Sequence, residues 1–304
     1  MITTEEKPTT AAQTRAPGTG EFVLTFHCPD SLGIVQAVAD FLLKQECYIV
    51  DLKQFGDRST GHFFMRVHFA STASPGDAAA VEQLRGTFAP LAAEWGMDWR
   101  LQRHNRKQRI LVMVSKYDHC LNDLLARTRN GELPVEIAAV VSNHPDLAGL
   151  AAWHGVPFHH IPVTADTKPA AEAALLELVD GLDVELVVLA RYMQVLSDAA
   201  TARLAGKAIN IHHSFLPSFK GAKPYHQAHA RGVKTVGATA HYVNSELDEG
   251  PIIAQQVIEV DHTYTPSDLV SVGKDAECKA LTNAVRWHAE ERIILSGNRT
   301  VILR

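Results

Sequence analysis

The chain has 304 residues, 46% of them apolar and 21% charged, with a formal net charge of −5. That length suits two domains, the composition suits a soluble globular protein, and the acidic balance argues against a nucleic-acid surface, which would carry a basic excess. No apolar run approaches the roughly 18 residues of a membrane span, and the four scattered cysteines form no CxxC pair, so neither a membrane partner nor a disulfide framework or zinc cluster is expected, and a reducing cytoplasm is.

Residues 1–20, rich in Thr, Ala, Pro and Gly and lacking the apolar centre of a signal peptide, are expected to be a disordered tail. Phe22 to His27 then reads as a strand. Asp30 and Ser31 offer caps for a helix whose apolar face is Ile34, Val35, Val38, Phe41 and Leu42. Tyr48 to Phe55 is a second strand, and the strict alternation of Phe63, Met65, Val67 and Phe69 marks a third with one buried face. A helix from Ala78 to Leu91 is weakened by Gly86 and Pro90. Met97, Trp99 and Leu101 alternate as a fourth strand. This βαββαβ order over residues 21–102 is the ferredoxin-like arrangement. Its first turn, Cys28 to Ile34, resembles the signature turn of ACT domains, small regulatory modules that bind amino acids. The resemblance implies an effector site at Asp30, Ser31, Leu32, Gly33 and Ile34, glycine or methionine as an effector, and a homodimer or homotetramer.

The polar segment 103–108 reads as a linker, and from residue 109 to 304 the rhythm changes. Ile110 to Val114, Val135 to Val141, Phe158 to Val163 and Val184 to Ala190 are continuous apolar runs, as fully buried parallel strands should be. A helix is clearest at Ala170 to Val179, and Thr265-Pro266-Ser267-Asp268 has the cap, the proline and the acid that open another. The expected fold is a doubly wound, Rossmann-like α/β sheet, with ligands at the carboxyl ends of its strands.

Residues 210–251 carry the chemistry. Asn210 and His212 close a short apolar run (Ala208, Ile209), a Pro/Gly-rich loop follows, and a later loop holds Asp248 and Gly250. An amide that stabilises an oxyanion, an imidazole that polarises or protonates, and a shielded carboxylate that moves protons suit acyl chemistry. No HExxH-type frame accompanies the many histidines, Ser214 lies in no GxSxG elbow, and no cysteine lies in an activating motif, so no metal, other cofactor or covalent nucleophile is expected.

The exact run of Asn210-Ile211-His212, Ser214 to Gly221 and Leu247 to Pro251 resembles the folate-dependent formyltransferase family from about Arg109 onward. The resemblance implies Asn210, His212 and Asp248 as the catalytic trio. It also implies a folate pocket between Tyr192, Met193, Gln194, Val195 and Leu196 on one side and Leu247, Glu249 and Gly250 on the other. Two departures bear on the acceptor. The turn Ser115 to Leu121, which in the glycinamide ribonucleotide transformylases is Gly/Ser-rich and holds the acceptor phosphate, has no glycine here and carries Asp118, which repels a dianion. His213 stands where the transferases usually have Pro.

With an ACT-like domain in front, the chain resembles the hydrolytic members of this family. The implied reaction is hydrolysis of 10-formyltetrahydrofolate to formate and tetrahydrofolate, supplying formate for purine synthesis and balancing one-carbon folates. Asp248, raised in pKa by a dry pocket, would deprotonate the water. The alternative is formyl transfer to an amine acceptor without a phosphate.

Overall fold

A computed structural model describes residues 20–72, 76–216 and 224–304, and the chain divides after His104 into two compact units. The expected tail falls on residues outside the described ones, except Gly20, which already belongs to a strand. The first unit runs β1 (Gly20–Pro29), α1 (Ile34–Lys44), β2 (Cys47–Asp57), β3 (His62–Ser71), α2 (Ala78–Glu94) and β4 (Asp98–Arg103). Its antiparallel sheet has the order β2-β3-β1-β4, the ferredoxin-like topology. Alternate residues of β1 and β3, among them Phe22, Leu24, Phe26, Met65, Val67 and Phe69, meet the helices in one core.

Three local expectations change here. The cap of α1 is Gly33, at φ 102° and with no side-chain cap, rather than Asp30 or Ser31. Val35 points outward, 40% exposed, while Ile34, Val38, Phe41 and Leu42 form the buried face. Helix α2 runs through both Gly86 and Pro90, because the Asp77 carboxylate caps Ala80 N–H and Ala80, Val81, Leu84, Phe88 and Ala92 bury one continuous stripe.

The second unit runs β5 (Gln108–Val114), α3 (His119–Arg129), β6 (Val135–Ser142), α4 (Ala148–Trp153), β7 (Phe158–His160), α5 (Lys168–Gly181), β8 (Leu186–Leu189), α6 (Asp198–Arg203), β9 (Ala208–His212), α7 (Pro224–Ala230), β10 (Thr235–Tyr242), β11 (Ile252–Glu259), α8 (Pro266–Ala289) and the hairpin β12 (Ile293–Ser296) and β13 (Arg299–Ile302). Its seven-stranded sheet has the order β11-β10-β9-β8-β5-β6-β7. The strands β5 to β9 pair in parallel, but β10 and β11 are antiparallel, so the sheet is mixed rather than wholly parallel. The core strands bury both faces, which explains their unbroken apolar runs. Helix α8 opens on a complete capping box between Thr265 and Asp268, as its sequence predicts. The strand order reverses between β5 and β8, the crevice where α/β sheets bind ligands.

Candidate active site

The pleat brings the first three site residues together. Asn210 and His212, two apart on β9, face the same side of the sheet, and in the antiparallel register His241 of β10 stands directly opposite Asn210. Asp248 enters from the turn between β10 and β11, at φ 59°. That turn is tied to β10 by Tyr242 N–H donating to Pro251 O at 2.9 Å. Gly250 is what permits the approach, since a Cβ there would lie 1.7 Å from the Tyr242 carbonyl oxygen.

Around the Asp248 carboxylate, His212 Nδ1 lies 3.1 Å from Oδ2, and the Asn210 amide nitrogen lies 3.4 Å from Oδ1. His241 Nε2 is 3.6 Å from Oδ1 and 3.3 Å from the Asn210 amide, while its Nδ1 faces the Tyr242 carbonyl at 2.9 Å. His241 is only 2% exposed. Burial acts to raise the Asp248 carboxyl, but the His212 hydrogen bond and the nearby His241 imidazole outweigh it and hold it well below the usual carboxylate range. This overturns the expectation of a raised pKa: burial acts upward as expected, but the two imidazoles decide the sign. With Oδ2 accepting at Nδ1, His212 keeps Nε2 as its working nitrogen, which has no partner among the described residues.

A cavity of about 220 Å³ opens beside this group. Tyr192, Met193, Gln194, Val195 and Leu196 all line it, as does Leu247; Glu249 and Gly250 do not. Met193, Val195 and Leu247 are more than half exposed and give the cavity an apolar rim. The loop between β8 and α6 is held from behind by groups that no motif singled out. Met193 N–H donates to the buried Ser115 hydroxyl at 2.9 Å, which in turn donates to Asn143 at 2.7 Å. At its far end the Ser197 hydroxyl and N–H both donate to Glu172. Residues 217–221 of the motif beginning at Ser214 lie outside the described residues.

A second polar cluster adjoins the first. Glu277 of α8, 2% exposed, accepts from His119 Nε2 at 2.7 Å and from the Tyr225 hydroxyl at 3.2 Å, and it lies 3.4 Å from Arg191 Nε. Arg191, at φ 65°, donates from Nη1 to His213 Nδ1 at 2.7 Å and lies over the Tyr117 ring at 4.9 Å. The ligand atoms of His119, Cys120 and Glu277 lie within 4.8 Å of one another. The Arg191 guanidinium already brings to Glu277 the positive charge that a metal ion would supply. His226 and His229 on α7 are exposed and do not line the cavity. In the first unit, Asp30, Ser31 and Leu32 are exposed, whereas Ile34 is a core residue at 1% exposure. No helix among the described residues is long and apolar enough to cross a membrane.

Residues 108–285 match the formyl transferase family model. The formyltetrahydrofolate deformylase of Corynebacterium sp. (strain P-1) is 62% identical over 282 residues, covering 93% of this chain and 98% of the relative. The crystal structure of the Burkholderia mallei formyltetrahydrofolate deformylase is 52% identical, with a TM-score of 0.89, and covers 94% of this chain and 100% of that one. A glycinamide ribonucleotide transformylase structure from Symbiobacterium toebii, 34% identical with a TM-score of 0.62, covers 66% of this chain and 97% of its own.

Proposed function

The chain belongs to the formyltetrahydrofolate deformylase family, and from that premise we propose that it hydrolyses 10-formyltetrahydrofolate to formate and tetrahydrofolate. The observation that carries the reading is the convergence of Asn210, His212, His241 and Asp248 at the carboxyl end of β9, beside an apolar-rimmed cavity. Folate sits between the loop Tyr192–Leu196 and Leu247, presenting its formyl group to the trio.

The charge pattern divides the labour. Asp248, held as an anion, fixes the proton on His212 Nδ1 and so leaves His212 Nε2 to handle protons at the reacting atoms. Water attacks the formyl carbon as its proton passes to Nε2. The oxygen that becomes negative accepts from the Asn210 amide, which turns from its long contacts with His241 and Asp248. Nε2 then returns the proton to the folate nitrogen, the C–N bond breaks, and formate leaves with tetrahydrofolate. No step requires a metal or a covalent enzyme intermediate.

Water rather than an amine is the nucleophile in this reading because the turn after β5 does not suit a phosphorylated acceptor. Tyr117 is engaged by Arg191, His119 by Glu277, and Asp118 places an acid at the start of α3. The first unit is read as the ACT-type regulatory module, with a small amino acid such as glycine or methionine as effector and a dimer or tetramer as the working state. Its place is the cytoplasm, where the four free cysteines stay reduced.

Replacing Asp248 with Asn tests the assignment. The variant binds folate with the affinity of the parent but loses at least about a thousandfold in turnover, since an amide no longer fixes the His212 tautomer. Retained turnover removes Asp248 from the mechanism.

A further inference from the structure

Two histidines stand side by side at the end of β9, and only one is bonded to Asp248. The His212 and His213 rings stack at 4.8 Å between centroids, with 21° between planes. Imidazoles this close compete for a single positive charge, so something must decide which of them takes up protons.

The decision is built into the groups on either side. His212 Nδ1 meets a carboxylate acceptor, Asp248. His213 Nδ1 meets a guanidinium donor, Arg191 Nη1, at 2.7 Å; an arginine has no lone pair to offer, so this nitrogen must be the unprotonated one and Nε2 carries the hydrogen. Arg191 is in turn over-determined: its Nε lies 3.4 Å from the buried Glu277, its cation covers the Tyr117 ring, and its backbone is held at φ 65°. Glu277 is fixed as an anion because burial, which acts to raise it, is outweighed by the His119 hydrogen bond and the Arg191 charge. Tyr225 completes the cradle, and it reaches Glu277 only because Gly273 leaves room: a Cβ there would lie 2.1 Å from the Tyr225 oxygen.

We propose that His213 is a positioning residue for His212, pinned by the Arg191–Glu277 pair as a neutral Nε2–H imidazole that stacks on His212 and leaves it the ring that exchanges protons with the substrate. The charged and titratable groups facing His213 are Arg191 from the loop after β8, His212 on its own strand, Glu277 from α8, Asp248 from the turn after β10 and Tyr225 from α7. Burial, followed by the Arg191 and His212 charges, brings the His213 ring down to about 4, consistent with that geometry. The tautomer assignment stands on structure alone; the catalytic consequence rests on the hydrolase reading.

The test separates those two parts. In protein labelled with 15N at histidine, with His213→Asn used to assign the signal, His213 is expected as the neutral Nε2–H tautomer down to about pH 5. In Arg191→Met it should take up a proton at least one pH unit higher (a tenfold shift in affinity). An Nδ1–H tautomer, or a His213 that titrates near the ordinary value in the parent protein, overturns the proposal whatever the enzyme catalyses.

The kinetic arm uses two complementary changes. His213→Phe keeps a ring on His212 but cannot accept from Arg191, and His213→Asn accepts but cannot stack. Each is expected to lower kcat about tenfold and leave KM within about twofold, and Arg191→Met should also shift the acid limb of the kcat profile. A raised KM with unchanged kcat would make His213 a folate contact and overturn the positioning role.

Discussion

Asp248 owes its charge state to its imidazole neighbours, His213 owes its own first to burial and then to the Arg191 and His212 charges, and both leave a mark on stability. Asp248 is depressed below its unfolded value, so its contribution is present above that value and is lost as acid carries the pH down toward its folded pKa. His213, at about 4 against an ordinary 6.5, is also depressed: the unfolded chain binds the extra proton between those values, so stability falls as pH drops through that window. Urea midpoints measured from pH 7 to 4 should therefore decline in the parent protein, and decline less steeply in His213→Asn; identical slopes would contradict the assignment. At this scale the sequence carried Asn210, His212 and Asp248 by their motif. His241 was one of several clustered histidines there, because its role comes from cross-strand register, which no local spacing encodes. The sign of the Asp248 shift was illegible for the same reason: burial can be guessed from apolar neighbours, whereas two imidazoles brought to one carboxylate from separate strands cannot.

Among the elements, the turn between β10 and β11 and the loop between β8 and α6 do the positioning. The Gly250 contact with the Tyr242 carbonyl leaves no space for a methyl group, so Gly250→Ala must push the turn away from β10 and carry Asp248 with it. That variant should lose turnover about as fully as Asp248→Asn while its far-UV circular dichroism stays that of the parent; parental turnover would show that the turn tolerates displacement. Buried strands and the capping box of α8 were legible because each rests on local pattern: unbroken apolar runs, or Thr and Asp three apart. The antiparallel turn of β10 and β11 was not, since an apolar run carries no direction. Helix α2 defeated the reading of Gly86 and Pro90 because its buried stripe outweighs two poor helix formers.

The chain carries a ferredoxin-like unit, followed in sequence by a unit whose mixed α/β sheet bears the candidate site at its carboxyl edge. The sheet supplies a strand-order reversal where a ligand fits, and β9 and β10 supply the polar groups that face it. In the proposed reaction water alone serves as the nucleophile. The most direct test incubates the purified protein with 10-formyltetrahydrofolate in 18O-labelled water, with no amine acceptor and with EDTA present. Formate and tetrahydrofolate are expected in equal amounts, each formate carrying one oxygen from solvent. Folate binding without formate release would contradict the proposed reaction and point to an acceptor other than water.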